Sequence, residues 1–141
     1  MYILGDIGNT ETKLYLVSKN NKILKKITFI SKKVNIRSLN YLFTKNKLNL
    51  IKIEKILFCS VVPNTFKIIK KFLSKKTKLK CYEVKNLNLK SIIKIKVNFK
   101  QVGSDRITNS ISLMDKRNNY IIVDFGTATT FDVLIKNVYF G

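Results

Sequence analysis

The sequence predicts an α/β domain with a mixed sheet. Three apolar segments joined by short polar turns open the chain, as in an antiparallel meander, and strand-like and helix-like segments alternate after them. The chain has 141 residues, of which 45% are hydrophobic, so it can bury a core and is not a disordered polypeptide. We therefore expect three antiparallel strands followed by strand and helix alternation.

The first elements are delimited by turn signals. An apolar strand over residues 2–6 is followed by a Gly-Asn-Thr turn and a second strand over 12–17. A polar turn then leads to a third strand over 23–29, which extends the meander. Asn35 is a suitable N-cap for a helix that ends near Asn46.

A nearly continuous apolar run over 56–62 predicts a buried strand, which Pro63 closes. The elements predicted after it are a helix over 64–76, a strand over 81–84, an irregular segment over 85–101, a helix from about Ser104, strands over 120–124 and 129–135, and the start of one more strand before Gly141.

The composition excludes several kinds of chemistry. Histidine is absent and the two cysteines, Cys59 and Cys81, are far apart, which leaves no zinc site and no Cys–His nucleophile. Any general base therefore has to be a carboxylate or a lysine. Apolar runs are too short for a membrane helix, and Asp6 interrupts the first one before a signal-peptide core could form, so we expect a cytoplasmic protein.

The net charge of +20 raises the question of nucleic-acid binding. However, the basic residues are almost all lysines scattered through every segment, which indicates a solvated surface rather than a binding face. We therefore do not expect a nucleic-acid partner, although a basic nucleic-acid-binding domain remains an alternative.

Five of the eight acidic residues of the chain lie in three short segments. The same segments, or their direct neighbours, hold the four glycines that precede the terminal one. Glycine lets a backbone approach a ligand, and Asp and Thr supply oxygen ligands to metal-bound phosphates. An ordinary turn explains any one segment but not three, so they predict a nucleotide-phosphate site. The segments are residues 6–13, 103–106 and 124–132.

Each segment suits a different part of such a site. The first can turn backbone N–H groups and the Thr10 hydroxyl toward phosphate, with Asp6 facing a cation. In the second, Arg106 can fork onto a carboxylate while Asp105 accepts a hydroxyl proton, although a helix cap with a surface ion pair remains the alternative. In the third, Asp124 lies at the carboxyl end of a strand, a usual ligand position in α/β sheets.

Together the motifs Asp-x-Gly-Asn-Thr, Gly-x-Asp-Arg and Asp-x-Gly-Thr-Ala-x-Thr-x-Asp resemble the signature set of type III pantothenate kinases, in the same order. The resemblance extends over residues 1–141 and includes the Ser-Val-Val-Pro segment that ends at Pro63. It implies the ribonuclease-H-like fold shared by actin-like ATPases, sugar kinases and acetate kinases. On this basis residues 1–117 are predicted to be the first such domain, and 118–141 the start of a second, truncated one.

The resemblance also implies a transferase activity, the ATP-dependent phosphorylation of pantothenate to 4'-phosphopantothenate, which begins coenzyme A biosynthesis. It implies a homodimer that uses Mg²⁺ or another divalent ion and a monovalent cation, K⁺ or NH₄⁺. Family members continue through a second domain of comparable size, so the 141 residues alone are expected to be inactive.

Site residues follow from the resemblance position by position. Asp105 is the expected catalytic base, Arg106 is expected to reach the pantothenate carboxylate, and Asp124 to bind the monovalent cation. The substrate segment is Gly103, Ser104, Asp105 and Arg106, and the ATP-binding residues are Asp6, Ile7, Gly8, Asn9, Thr10, Glu11, Thr12, Lys13 and Thr127.

In one place the chain departs from the family pattern. A Tyr-x-Asn-Pro stretch whose tyrosine helps close the substrate pocket is replaced here by residues 96–99, Lys-Val-Asn-Phe. Two further alternatives stay open: a non-catalytic regulator or remnant derived from such a kinase, and another small-molecule kinase or phosphatase of the same superfamily.

Overall fold

The computed structural model describes residues 1–115, 117–126 and 128–141. The chain forms two units, Met1–Glu83 and Val84–Gly141, and each is described by itself. These units are defined by packing, whereas the boundary expected after residue 117 concerns duplicated domains. That boundary therefore stays a prediction.

The first unit contains a five-stranded sheet. Its strands are β1 (Tyr2–Ile7), β2 (Glu11–Val17), β3 (Ile23–Ile30), β4 (Lys55–Ser60) and β5 (Cys81–Glu83). They lie in the order β3-β2-β1-β4-β5, antiparallel from β3 to β1 and parallel from β1 to β5. The predicted meander and the predicted mixed sheet are therefore confirmed.

Two helices, α1 (Ile36–Lys45) and α2 (Pro63–Thr77), pack in the same unit. The α1 helix begins with a capping box in which Asn35 and Ser38 exchange hydrogen bonds, and Asn46 is its C-cap, as predicted. Pro63 has a different position from the one predicted. The strand already ends at Ser60, and Pro63 is the first residue of α2, where its missing N–H is not needed.

The core of this unit is built from alternate strand residues and from the inner faces of both helices. Gly5 in β1 lies beside Phe58 in β4, and a methyl group at Gly5 would lie 2.0 Å from the buried Phe58 ring. The glycine here makes room for a neighbouring ring. The largest fully buried side chains of the unit include Ile7, Leu39, Ile56, Phe58, Ile69 and Leu73.

The second unit has one longer helix, α3 (Ser104–Ser112), and a four-stranded sheet. The sheet order is β6-β9-β8-β7, with the β7–β8 and β8–β9 pairs antiparallel and β6–β9 parallel. The predicted helix near Ser104 and the two predicted strands are present. The strands are β6 (Lys94–Ile95), β7 (Asn119–Phe125), β8 (Thr129–Ile135) and β9 (Val138–Tyr139).

One face of the β7–β8 hairpin is apolar and exposed. Phe125 is 82% exposed and Ile121 is 74% exposed in β7, and Val123 lies opposite Phe131 of β8 on the same face. The opposite face holds the buried residues Ile122, Asp132 and Leu134. Within the described residues, no helix has the length and apolarity needed to cross a membrane.

Candidate functional site

Asp6 lies near the end of the central strand of the first unit, between two side chains from neighbouring strands. Lys13 of β2 is its antiparallel partner and Cys59 of β4 its parallel partner. The Cys59 thiol donates a weak hydrogen bond of 3.5 Å to Asp6 Oδ1. Because Asp6 is half-buried, its carboxylate can meet a ligand at this edge of the sheet.

Ser31, the residue after β3, forms hydrogen bonds with the turn between β1 and β2. The Ser31 hydroxyl donates to the Gly8 carbonyl at 2.6 Å and lies 2.8 Å from the Thr12 hydroxyl. The Ser31 N–H donates to the Thr10 carbonyl at 3.0 Å, and the Gly8 N–H donates to the Glu11 carbonyl at 3.0 Å. The turn therefore has a fixed backbone conformation.

Burial separates five of the predicted ATP-binding residues into two groups. Asn9, Thr10 and Glu11 are exposed at the tip of the turn, where they can meet phosphate groups. Ile7 and Thr12 are buried, and the Thr12 hydroxyl pairs with Ser31. Their side chains therefore support the turn from inside.

The predicted substrate segment forms the start of α3. Gly103 is the N-cap, and Ser104, the first residue of the helix, is buried. Asp105 lies in the first turn, where a carboxylate interacts favourably with the positive end of the helix dipole. Its Oδ1 accepts the Arg106 backbone N–H at 2.8 Å, and the side chain is half-buried.

Arg106 forms an ion pair with a buried carboxylate of β8. Its Nε donates to Asp132 Oδ1 at 2.8 Å, and its Nη2 lies 2.7 Å from the same oxygen. Nη2 also donates to the Phe131 carbonyl at 3.0 Å. Asp132 is 0% exposed, whereas the Arg106 side chain is 29% exposed. The hydrogen bond with Asp132 raises the pKa of Arg106, which therefore stays charged.

Tyr139 of β9 completes this group. Its buried hydroxyl donates to Asp132 Oδ1, the oxygen that Arg106 also contacts. Burial, followed by the hydrogen bond to Asp132, raises the pKa of Tyr139 well above its ordinary value. The phenol thus stays protonated and remains a donor to the carboxylate.

Asp124 lies near the end of β7, where Asn109 of α3 holds it. The Asn109 side-chain amide donates to Asp124 Oδ2 at 3.1 Å. Asp124 is half-buried. Thr127, the remaining predicted ATP-binding residue, lies outside the described residues.

The predicted site residues are divided between the two units. Asp6 and the first turn belong to Met1–Glu83, whereas Asp105, Arg106 and Asp124 belong to Val84–Gly141. Within the second unit, α3 carries Asp105 and Arg106 as well as the partner of Asp124. The convergence of Asp6, Asp105 and Asp124 on one site stays a prediction.

Sequence reasoning missed three residues of the second unit. Asp132 belongs to the third acidic segment, but nothing in that segment indicates a pairing with Arg106. Asn109 lies four residues after Asp105 on the same helix, a spacing that places both on one face and was an available signal. For Tyr139 the sequence offers no signal, because its role depends on the β8–β9 pairing.

Residues 96–99, which depart from the family pattern, lie directly after β6. The Lys96 N–H donates to the Tyr139 carbonyl at 2.9 Å. Asn98 accepts the Lys100 N–H through its side chain at 3.1 Å, which forms a turn. The Phe99 ring lies under the Lys85 ammonium, 5.0 Å from the ring centroid, and lines a cavity of about 340 Å³.

Among the described residues, no group of three acidic, cysteine or histidine side chains could hold a metal ion by itself. A cation that arrives with nucleotide phosphates needs only one or two carboxylates from the protein, because the phosphates supply other ligands. Asp6 in the first unit and Asp124 in the second are half-buried carboxylates of this kind.

Comparison with known proteins gives a consistent result. Residues 2–141 match the family model described as type III pantothenate kinase. The type III pantothenate kinase of Pelagibacter ubique (strain HTCC1062) is 55% identical over 141 residues, which are 100% of this chain and 57% of that protein. The enzyme of the same name from Sulfurihydrogenibium sp. (strain YO3AOP1) is 36% identical over 147 residues. The match covers 97% of this chain and 56% of that protein.

Solved structures show the same fold at low sequence identity. A candidate 2-dehydro-3-deoxygalactonokinase from Sinorhizobium meliloti has a TM-score of 0.55 and 8% sequence identity. The match covers 100% of this chain and 52% of the Sinorhizobium chain. A candidate N-acetylglucosamine kinase from Porphyromonas gingivalis has a TM-score of 0.54 and 11% sequence identity. The match covers 99% of this chain and 46% of the Porphyromonas chain. These likenesses confirm the predicted fold class.

The chain spans somewhat more than half the length of the curated relatives that it matches. The family model nevertheless matches almost every residue of it, including all three acidic segments. The chain therefore belongs to the type III pantothenate kinase family.

Proposed function

We propose that this protein transfers the γ-phosphoryl group of ATP to pantothenate and forms 4'-phosphopantothenate, the first step of coenzyme A biosynthesis. The observation that carries the proposal is the family match over residues 2–141. The arrangement at the start of α3 supports it, because a half-buried carboxylate and a paired arginine lie side by side there.

Asp105 is proposed as the general base. It accepts the proton of the substrate hydroxyl while that oxygen bonds to the γ-phosphorus, and the bond from the γ-phosphorus to the ADP oxygen breaks in line. Its position in the first turn of α3 suits a carboxylate, because the helix dipole interacts favourably with negative charge there.

Arg106 is proposed to hold the substrate carboxylate. Its charge is secured by Asp132, and nearly a third of its side chain faces solvent. An arginine fixed by a buried carboxylate loses little freedom when a second anion binds it, so the substrate is positioned at low entropic cost.

The turn between β1 and β2 is proposed to bind the ATP phosphates. Backbone N–H groups at its exposed tip and the Thr10 hydroxyl suit phosphate oxygens, and Lys13 adds a positive charge. Asp6 would hold the Mg²⁺ that accompanies ATP. When bound, this ion neutralises charge on the phosphates.

Asp124 is proposed to bind the monovalent cation, K⁺ or NH₄⁺. One of its oxygens is taken by Asn109, which leaves the other for the ion. The proposal also includes a homodimer that acts in the cytoplasm, where ATP is available.

The test is a phosphorylation assay with the full-length gene product, ATP, Mg²⁺ and K⁺. We expect pantothenate to gain the mass of one phosphoryl group, and Asp105→Asn to abolish most of that gain. An enzyme that instead phosphorylates a sugar, or a protein that binds RNA with strong salt dependence and no effect of ATP, would contradict the proposal. Either result would favour one of the alternative functions considered from the sequence.

The 141 residues alone are expected to have little activity. The family members that the chain matches are longer, and the β7–β8 hairpin of this chain leaves Phe125 and Ile121 exposed. A large exposed apolar face is typical of a surface that other residues cover. Activity of the 141-residue chain at about 1 to 100 turnovers per second, the usual range of kinases, would contradict this expectation.

A further inference from the structure

Asp132 Oδ1 receives more donors than one carboxylate oxygen usually does. Arg106 contributes Nε at 2.8 Å and Nη2 at 2.7 Å, and Tyr139 contributes its hydroxyl. The three groups come from α3, β8 and β9, so this contact ties the predicted substrate helix to the sheet of its unit.

Burying the Asp132 carboxylate costs free energy unless other groups compensate for its charge. Asp132 is fully buried, and its other oxygen, Oδ2, has no hydrogen-bond partner among the described residues. A buried carboxylate is retained only when a cation or several donors compensate for the lost hydration. Arg106 is that cation, and its position is therefore dictated by Asp132.

The contacts also determine which edge of Arg106 is left for a ligand. A guanidinium has five N–H groups in a fixed plane. Nε and Nη2 are directed to Asp132 and to the Phe131 carbonyl, whereas Nη1 takes part in none of these hydrogen bonds with the described residues. The solvent-exposed part of the side chain can thus offer the Nη1 N–H groups to an anion.

We infer that Asp132 and Tyr139 are positioning residues that fix Arg106, so that its Nη1 receives the carboxylate of the substrate. This inference rests on the proposed function. It refines the expectation of a two-nitrogen fork, because Asp132 already occupies the Nε–Nη2 edge. Specificity for a carboxylate then depends on two buried side chains that do not touch the substrate.

The experiment compares two substrates of the full-length protein, pantothenate and pantothenol, in which a hydroxymethyl group replaces the carboxylate. Asp132→Asn keeps the size of the side chain but removes the charge that orients Arg106. We expect kcat/KM for pantothenate to fall by about tenfold or more, mainly through KM, since a charge-assisted contact is weakened. For pantothenol we expect a change of less than about threefold.

A second variant, Tyr139→Phe, tests the inference even if Asp132→Asn does not fold. Tyr139→Phe removes one hydrogen bond to Asp132 and leaves the ion pair, so we expect a smaller loss, about two- to fivefold, again only with pantothenate. Tyr120→Phe is the matched control, because the Tyr120 hydroxyl donates to Asp115 in the same unit and not to Asp132. The control should behave as wild type with both substrates.

The outcomes separate the two proposals. Equal losses with pantothenate and pantothenol, or no loss in either variant, would show that Asp132 and Tyr139 have only a structural role and would overturn the inference alone. A folded wild-type protein that phosphorylates neither substrate would overturn the proposed function and the inference with it. Circular dichroism of each variant establishes that it is folded.

Discussion

The Asn109 side-chain amide donates to Asp124 Oδ2 over 3.1 Å, and this contact connects α3 to the end of β7. Asn109 lies about one turn after Asp105, so a single helix carries both the proposed base and the partner of the proposed cation ligand. The orientation of Asp124 therefore depends on the position of α3.

Replacing Asn109 should weaken cation binding. In Asn109→Ala the Asp124 carboxylate loses the donor that orients it, and the loss of such a supporting contact typically weakens ion affinity by about ten- to a hundredfold. We expect the K⁺ concentration for half-maximal activity of the full-length protein to rise by at least about tenfold. Titration of activity with K⁺ measures this.

The control for this variant is Asn118→Ala. Asn118 makes a similar contact of 2.9 Å with another carboxylate, Asp115 Oδ2. Its replacement should leave the K⁺ dependence unchanged. If Asn109→Ala showed the same K⁺ dependence as wild type, the prediction would be wrong. Either Asp124 would not bind the cation or Asn109 would not orient it.

Asp105→Asn should reduce the turnover number of the full-length protein by at least about a hundredfold. The amide oxygen can still accept the Arg106 backbone N–H, so the start of α3 is preserved, but the side chain no longer accepts a proton. The KM for pantothenate should change much less, because Arg106 is unaltered. Steady-state kinetics with both substrates varied provide the test.

Asp115→Asn is the matched control for the loss of one negative charge in the same unit. The Asp115 side chain accepts hydrogen bonds from Tyr120 and Asn118, neither of which is a predicted site residue. If Asp105→Asn kept its turnover within about threefold of wild type, Asp105 would be a helix-stabilising group. The base would then have to be Asp6 or Asp124.

Gly5→Ala should destabilise the first unit by about 1–3 kcal/mol, the usual cost of adding a carbon to a packed core. The new methyl group would lie 2.0 Å from the fully buried Phe58 ring, which has to move. At Gly126 the nearest atom to a new methyl group, the Ala128 carbonyl oxygen, is 3.7 Å away. Gly126→Ala should therefore change the unfolding free energy by less than about 1 kcal/mol, and urea unfolding of both variants tests the difference.

Tyr139 should make stability depend on alkaline pH. Its pKa is raised in the folded protein, so the stability that it contributes is complete below its unfolded pKa, about 10, and is lost as the pH rises above that value. In that range the unfolding free energy should fall by up to about 1.4 kcal/mol per pH unit more in wild type than in Tyr139→Phe. Urea unfolding of both proteins between pH 9 and pH 11 measures the two slopes, and parallel slopes would contradict the assignment.

Local patterns in the sequence were sufficient for most elements of the fold. The capping box at Asn35 and the turn signals of the first three strands act between near neighbours, so they can be read directly. Pro63 was placed wrongly because proline is compatible both with the end of a strand and with the first turn of a helix.

The contacts that organise the site could not be predicted in the same way. The Arg106–Asp132 pair joins residues 26 positions apart, and it depends on how α3 packs on β8. The sequence pattern groups Gly5 with glycines that approach a ligand, but its neighbour is the Phe58 ring, 53 positions away in a parallel strand. In both cases the sequence indicates that a residue is special, and only the packing shows why.

Ser31 holds the β1–β2 turn through its own N–H and hydroxyl, and Thr65 of α2 in turn donates to the Ser31 carbonyl at 3.3 Å. A phosphate-binding turn that is already ordered before the nucleotide arrives does not spend binding free energy on its own folding. The affinity for ATP would therefore depend on a serine and a threonine that lie outside the motifs that carry the resemblance to the family. Sequence changes at these two positions would alter nucleotide affinity while all signature residues remained intact.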